Sequence, residues 1–159
     1  MIVDVHLIKL LTRNVLFHSV NQSFVDTFIN VKNFFVAKEG TLLYSYTDDS
    51  TSVFLIVEGE VKIKFPDGIK YKYLLDFFGE KEILDNSPRK SCAITNKECI
   101  LYRISCDELN SLILDYPIIH NNFKKVGYKQ SPNLDETLTA QTWWIILGFV
   151  NNSSEIVFV

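Results

Sequence analysis

In the segment Phe78-Gly79-Glu80-Lys81-Glu82-Ile83-Leu84-Asp85-Asn86-Ser87-Pro88-Arg89, a glycine opens a short predicted helical turn and an arginine lies nine residues after a glutamate. These residue types in this order describe an anion cradle. Gly79 lets the backbone come close to a ligand, and the first N–H groups of the turn point outward with the positive end of the helix dipole behind them. Arg89 adds a permanently charged planar fork suited to two phosphate oxygens, and Glu80 adds an acceptor for a sugar hydroxyl. Together they read as a site for a phosphorylated ribose. A plainer reading of the same residues needs no ligand: Glu80 and Glu82 complement the dipole of a first turn, Gly79 serves only the turn, and Arg89 pairs with either glutamate.

Elsewhere the sequence offers little reactive chemistry. It contains no G-x-S-x-G, H-E-x-x-H or P-loop pattern, and His6, His18 and His120 accompany no nucleophile at motif spacing. A metal-dependent sugar isomerase on a β scaffold would need clustered histidines, and the central β-rich region has none. No catalytic activity and no cofactor are expected. Cys92, Cys99 and Cys106 recur seven residues apart without a CxxC pair, which argues against a disulfide framework and against zinc and predicts buried small hydrophobes. A net charge of -3 gives no cationic footprint for nucleic acid, and Gly127–Val159 offers no basic recognition helix. The apolar N-terminus is broken by Asp4, His6 and Lys9, and Trp143–Val150 is far shorter than the roughly 20 apolar residues of a membrane span. A cytoplasmic location without a membrane span is expected.

The elements that must hold the cradle follow from periodicity. Ile8, Leu11 and Val15, then Phe24, Val25 and Phe28, recur at helical spacing with Asn21 or Ser23 placed as an N-cap between the groups, predicting two short helices. Beyond Asn30, β-branched and aromatic runs divided by Gly40, the 47–52 polar cluster, Gly59, Asp67-Gly68 and Gly79 predict many short strands. Val61, Ile63 and Phe65 alternate with Lys62 and Lys64, and after Pro66-Asp67-Gly68, Ile69, Tyr71 and Tyr73 alternate with Lys70 and Lys72. This is a predicted hairpin whose four lysines share one solvated face. Strands are expected again at Ser91–Ile94 and Cys99–Ile104. Ser105 with Glu108 three residues later is a capping-box signature, Pro117 divides two C-terminal helices, and Gly127 is placed to end the second. From Gln130 onward the apolar, β-prone runs WWIILGFV and EIVFV read as a tail of uncertain structure.

The segment FGEKEILDNSPRKSCAI resembles the phosphate-binding cassette of the cyclic nucleotide-binding domain family, in which FGE is followed, after a short helix, by PR and a β-strand. Gly40, Asp48 and VFLIVEGEVKI resemble the family's KxG…D…GxV strands, and TRNVLF resembles its N-terminal helical segment, so the likeness covers roughly Ile8 to Gly127. It implies a mainly β fold with flanking α: an antiparallel eight-stranded β-roll, jelly-roll-like, with an N-terminal helical bundle and C-terminal hinge and lid helices. The implied organisation is a domain at 1–127 (helices 5–30, β-roll 34–104, hinge and lid 105–127) and a tail at 128–159. The implied function is sensing of cAMP or cGMP on behalf of another protein or domain, such as a kinase or a channel. The alternative is a degenerate member acting as an interaction or structural module. By the resemblance Arg89 pairs with the cyclic phosphate and Glu80 accepts from the ribose 2′-hydroxyl. Gly79, Lys81 and Glu82 offer backbone N–H groups, and Lys90 stands where selectivity is often set. Tyr116, Phe123, Tyr128 and Trp143 are candidates to cap the base. The sequence departs from the family at Glu82, usually a small residue, and at Thr47 and Ser50, often glycines.

Overall fold

β-Branched and aromatic residues dominate from Phe34 to Ser105, and in the computed structural model they form eight strands. The structure describes the backbone of residues 1–129 and the side chains of 1–123. The tail from Gln130, including Trp143 and the two apolar runs, lies outside the described residues. The strands are β1 (Phe34–Ala37), β2 (Leu42–Tyr44), β3 (Ser52–Glu58), β4 (Val61–Phe65), β5 (Gly68–Lys72), β6 (Phe77–Phe78), β7 (Cys92–Thr95) and β8 (Cys99–Ser105). They make two four-stranded antiparallel sheets, ordered β1-β8-β3-β6 and β2-β7-β4-β5. This is the expected β-roll.

Its interior is filled from both sheets by Ala37, Tyr44, Phe54, Ile56, Val61, Ile63, Phe78, Ala93, Cys99 and Leu101. The unbroken apolar run of β3 is explained by its central place, because Ser52 to Val57 are all buried. Phe54 and Ile56 enter the roll, so their alternating neighbours Val53, Leu55 and Val57 lie on the strand's other face. At the β3–β4 corner Gly59 has φ +103°, and a Cβ there would lie 2.6 Å from the Glu98 carbonyl oxygen. Only glycine fits that approach.

The flanking helices are α1 (Val5–Thr12) and α2 (Gln22–Phe28), separated by a 3-10 turn at Val15–Phe17, with Asp4 and Asn21 as their N-caps. Val15 thus belongs to the turn rather than to the first helix. A five-residue helix α3 (Lys81–Asp85) follows β6. Ser105 and Glu108 close the predicted capping box at the start of α4 (Cys106–Asp115), and α5 (Pro117–Lys129) follows directly. Gly127 does not end α5, which continues to Lys129. One interior glycine costs a helix only about 1 kcal/mol. The chain divides into two units, Met1–Lys124 and Lys125–Val159. Among the described residues no helix is long and apolar enough to cross a membrane.

Two further expectations are corrected. The hairpin lysines do not share a face: Phe65 pairs with Gly68 across the two-residue turn Pro66-Asp67, which sets Lys62 opposite Tyr71 and Lys64 opposite Ile69. Lys70 and Lys72 therefore sit opposite Ile63 and Val61, whose side chains enter the roll, and Lys72 is buried. Of the three cysteines only Cys99 is buried; Cys92 and Cys106 are half-buried.

Candidate functional site

Arg89 precedes β7 and is almost wholly buried, at 3% exposure. Its backbone is fixed by the 47–48 turn, with Arg89 N–H donating to the Asp48 carbonyl and Thr47 N–H donating to the Arg89 carbonyl, both at 2.9 Å. Thr47 holds φ +68°, the left-handed conformation that explains why glycine is common there in the family the sequence resembles. The guanidinium is held with equal specificity. Nη2 donates to the Ser52 carbonyl at the start of β3, at 2.6 Å, and Nη1 to the Gly79 carbonyl, at 2.6 Å. The Tyr44 ring covers its face, 4.1 Å from Cζ. Gly79, at φ +85°, is required on a second count: a Cβ would lie 3.1 Å from Nη1 and 3.3 Å from Nη2.

The remaining partner of Arg89 is Glu82. Its Oε1 accepts from Nη1 at 3.2 Å, and the Glu82 side chain is buried. Of the two pairings that the plainer reading of the sequence allows for Arg89, with Glu80 or with Glu82, this is the second. Lys90 is exposed and reaches Asp85 at 3.7 Å, so its side chain is not part of the cradle. Arg89 Nε is buried with no hydrogen-bond partner among the described residues.

Glu80 lies in the backbone stretch just before α3, 5% exposed. Burial pushes its carboxyl above the usual range, and the positive field of Lys72 pulls it partly back. Asp76 shares the neighbourhood: burial raises it to about 6, opposed chiefly by Lys72. Lys72 is thus the buried cation that makes two buried carboxylates tolerable, a role invisible when all four lysines are placed on a solvated face. The signal that could have found it is the parity of a two-residue turn.

α3 is closed at its far end by Asn86, left-handed at φ 52°. Beside it a cavity of about 280 Å³ is lined by Asp49, Ser50, Glu82, Ile83, Asn86, Ser87, Pro88 and Cys106. Lys81 is half-buried. Gly79, Glu80, Glu82 and Arg89 are therefore brought together, Lys81 borders them, and Lys90 is outside. Of the candidate caps, Tyr116 packs on Phe24 of α2 and Phe123 stacks on Phe77 of β6 at 5.8 Å, which places both in packing between elements. The side chain of Tyr128 and the whole of Trp143 lie outside the described residues. Among those residues no group of three or more His, Cys, Asp or Glu is placed to hold a metal.

The sequence profile of the cyclic nucleotide-binding domain matches residues 35–116, just over half of the chain and the whole of the cassette. The chain belongs to the cyclic nucleotide-binding domain family. Among solved structures it is similar to the catabolite activator protein of Thermus thermophilus, with 20% identity and a TM-score of 0.59, covering 71% of this chain and 56% of that one. It is also similar to the N-terminal domain of a transcriptional regulator from Streptomyces coelicolor, with 19% identity and a TM-score of 0.58, covering 76% of this chain and 91% of that one. At these identities the likeness establishes the β-roll fold. The chain spans little more than half the length of the Thermus protein. Comparison with curated protein sequences gives no match.

Proposed function

We propose that this chain is a regulatory module, not an enzyme, that binds a cyclic nucleotide, cAMP or cGMP, in the cassette and transmits occupancy through its C-terminal helices. The observation that carries the proposal is Arg89: a buried guanidinium, positioned by Ser52, Gly79 and Tyr44, whose Nε donor has no partner among the described residues. Leaving a buried donor unmet is costly, and a phosphate oxygen is its natural complement. Glu80, buried nearby, accepts from the ribose 2′-hydroxyl. The backbone N–H groups of Gly79, Lys81 and Glu82 face the phosphate.

The output path is short. Ser52, which receives Nη2, neighbours Thr51, whose carbonyl accepts from the first N–H of α4 (Cys106) at 2.9 Å. The α4 cap is tied to the helical flank as well, with Asn33 Nδ2 donating to Glu108 Oε1 at 2.6 Å. Movement of Arg89 is thereby coupled to the start of the hinge helix, and a ligand that favours one position of α4 shifts the population towards it. The regulated target is another protein or domain, such as a kinase or a channel.

Calorimetric titration of the full chain with cAMP and with cGMP tests the reading, beside Arg89→Lys, which keeps the charge next to Glu82 but loses the planar fork. Saturable binding by the wild type, weakened by about tenfold or more in the variant, is expected. Absence of binding to either nucleotide at millimolar concentration overturns it. A second reading, an interaction module that binds no nucleotide, is favoured by one observation, the buried Arg89–Glu82 pair.

A further inference from the structure

We infer that Glu82 is a specificity-determining residue that competes, from within the chain, for the phosphate position on Arg89, so that an anionic ligand must displace a buried carboxylate to bind. The inference rests on the proposed nucleotide site and sets the threshold of that site.

The contact has the form of a replaceable ligand. Charge-assisted N–H···O bonds to arginine run at about 2.7–2.9 Å and are often made as a parallel pair. Glu82 makes one such contact, at 3.2 Å, through a single oxygen. Nη1 shares that contact with a shorter bond to the Gly79 carbonyl, and Nε has no partner among the described residues. A phosphate has oxygens enough to meet a parallel pair, Nη1 with Nη2 or Nε with Nη2, where Glu82 offers a single oxygen to Nη1. The internal carboxylate neutralises the guanidinium without saturating its donors.

The displaced side chain also has somewhere to go. Glu82 lines the cavity of about 280 Å³ beside α3, and another residue on that wall, Ser87, has a buried hydroxyl with no hydrogen-bond partner among the described residues. Asn86 borders the same space. A rotated Glu82 carboxylate can accept from the Ser87 hydroxyl there, and the phosphate then takes its place on Arg89. Both arrangements leave Arg89 beside one negative charge. This is how a glutamate can stand at a position next to an anion site without unfolding the cassette. The same exchange discriminates between ligands. A neutral nucleoside offers no charge to replace that of Glu82, whereas a cyclic monophosphate does.

The test is calorimetry with cAMP and cGMP on the full-length wild type, Glu82→Ala and Glu82→Gln. The Gln variant keeps the side-chain shape and an oxygen for Nη1 while removing the charge, and so guards against a folding defect in the Ala variant. The expected result is at least a tenfold gain in affinity for the better nucleotide in Glu82→Ala, with Glu82→Gln between it and the wild type, and no comparable gain for adenosine or guanosine. Affinity in both variants equal to or below that of the wild type overturns the inference. If the wild type still binds in that case, the nucleotide-sensing reading stands and only the competition fails; if none of the three proteins binds, both fall.

Discussion

Arg89 is a cation with almost no water around it, and its position is decided by three contacts that are far apart in sequence: Ser52 on β3, Gly79 before α3, and Tyr44 on β2. Removing one member of a buried ion pair typically costs about 3–5 kcal/mol, because the other charge is left stranded. Glu82 is therefore as much a structural partner as a competitor in the unliganded protein. Asp76 illustrates a second residue-scale effect. Its folded-state carboxyl titrates near 6, raised by burial against the pull of Lys72, so the folded protein holds this proton more tightly than the unfolded chain does. The resulting stability is fully present below the unfolded carboxylate value of about 3.9 and is lost as pH rises through the folded value. Asp76→Asn removes the titration. Its stability relative to wild type, measured by urea denaturation between about pH 4 and 7, is expected to improve as pH rises, by on the order of 1–3 kcal/mol across that range. A pH-independent difference would mean that Asp76 titrates in the folded protein as it does in the unfolded chain.

At the scale of elements, the cassette depends on the turn that grips the Arg89 backbone on both sides. Thr47 occupies a left-handed conformation at φ +68° in that turn, which a β-branched residue adopts only at a cost of about 1–2 kcal/mol. Thr47→Gly relieves this strain, while glycine gives back some of the gain through the greater freedom of the unfolded chain. A net stabilisation of about 0.5–1 kcal/mol is expected, seen as a higher urea midpoint at unchanged slope. Lower stability would show that the Thr47 hydroxyl, which donates to the Tyr46 carbonyl, matters more than its backbone conformation. The capping box of α4 is a different kind of element, specified locally. Burial alone would raise the Glu108 carboxyl, but the Ser105 N–H and the Asn33 amide hold it below the usual range. α4 therefore begins where Ser105 and Glu108 place it in the sequence.

At the scale of the molecule, what could be read in advance was what short-range patterns control. Alternation identified β4 and β5, Ser105 and Glu108 marked the start of α4, Pro117 marked α5, and the spacing of Gly79, Glu80 and Arg89 marked the cradle. What escaped was set by contacts between distant segments. The inward turn of Lys72 follows from hairpin parity together with the buried carboxylates of Asp76 and Glu80 on later segments. That Arg89 would choose Glu82 over Glu80 was open in the sequence, since both glutamates precede it at plausible distances; the choice is made by the β3 and Gly79 carbonyls that aim the guanidinium. The β-roll thus supplies a rigid seat for one arginine, and the first N–H of α4 bonds to the carbonyl of Thr51, the residue next to Ser52 in that seat.

The most direct test is to follow the Arg89 side-chain Nε–H by nuclear magnetic resonance, assigned with Arg89→Lys, while cAMP or cGMP is added to the full chain. Because Nε is a buried donor with no partner among the described residues, the account predicts a saturable change in this resonance as a phosphate oxygen reaches it. A resonance that stays unmoved at millimolar nucleotide, in protein that remains folded, would contradict the account and leave the Arg89–Glu82 pair as part of an interaction module.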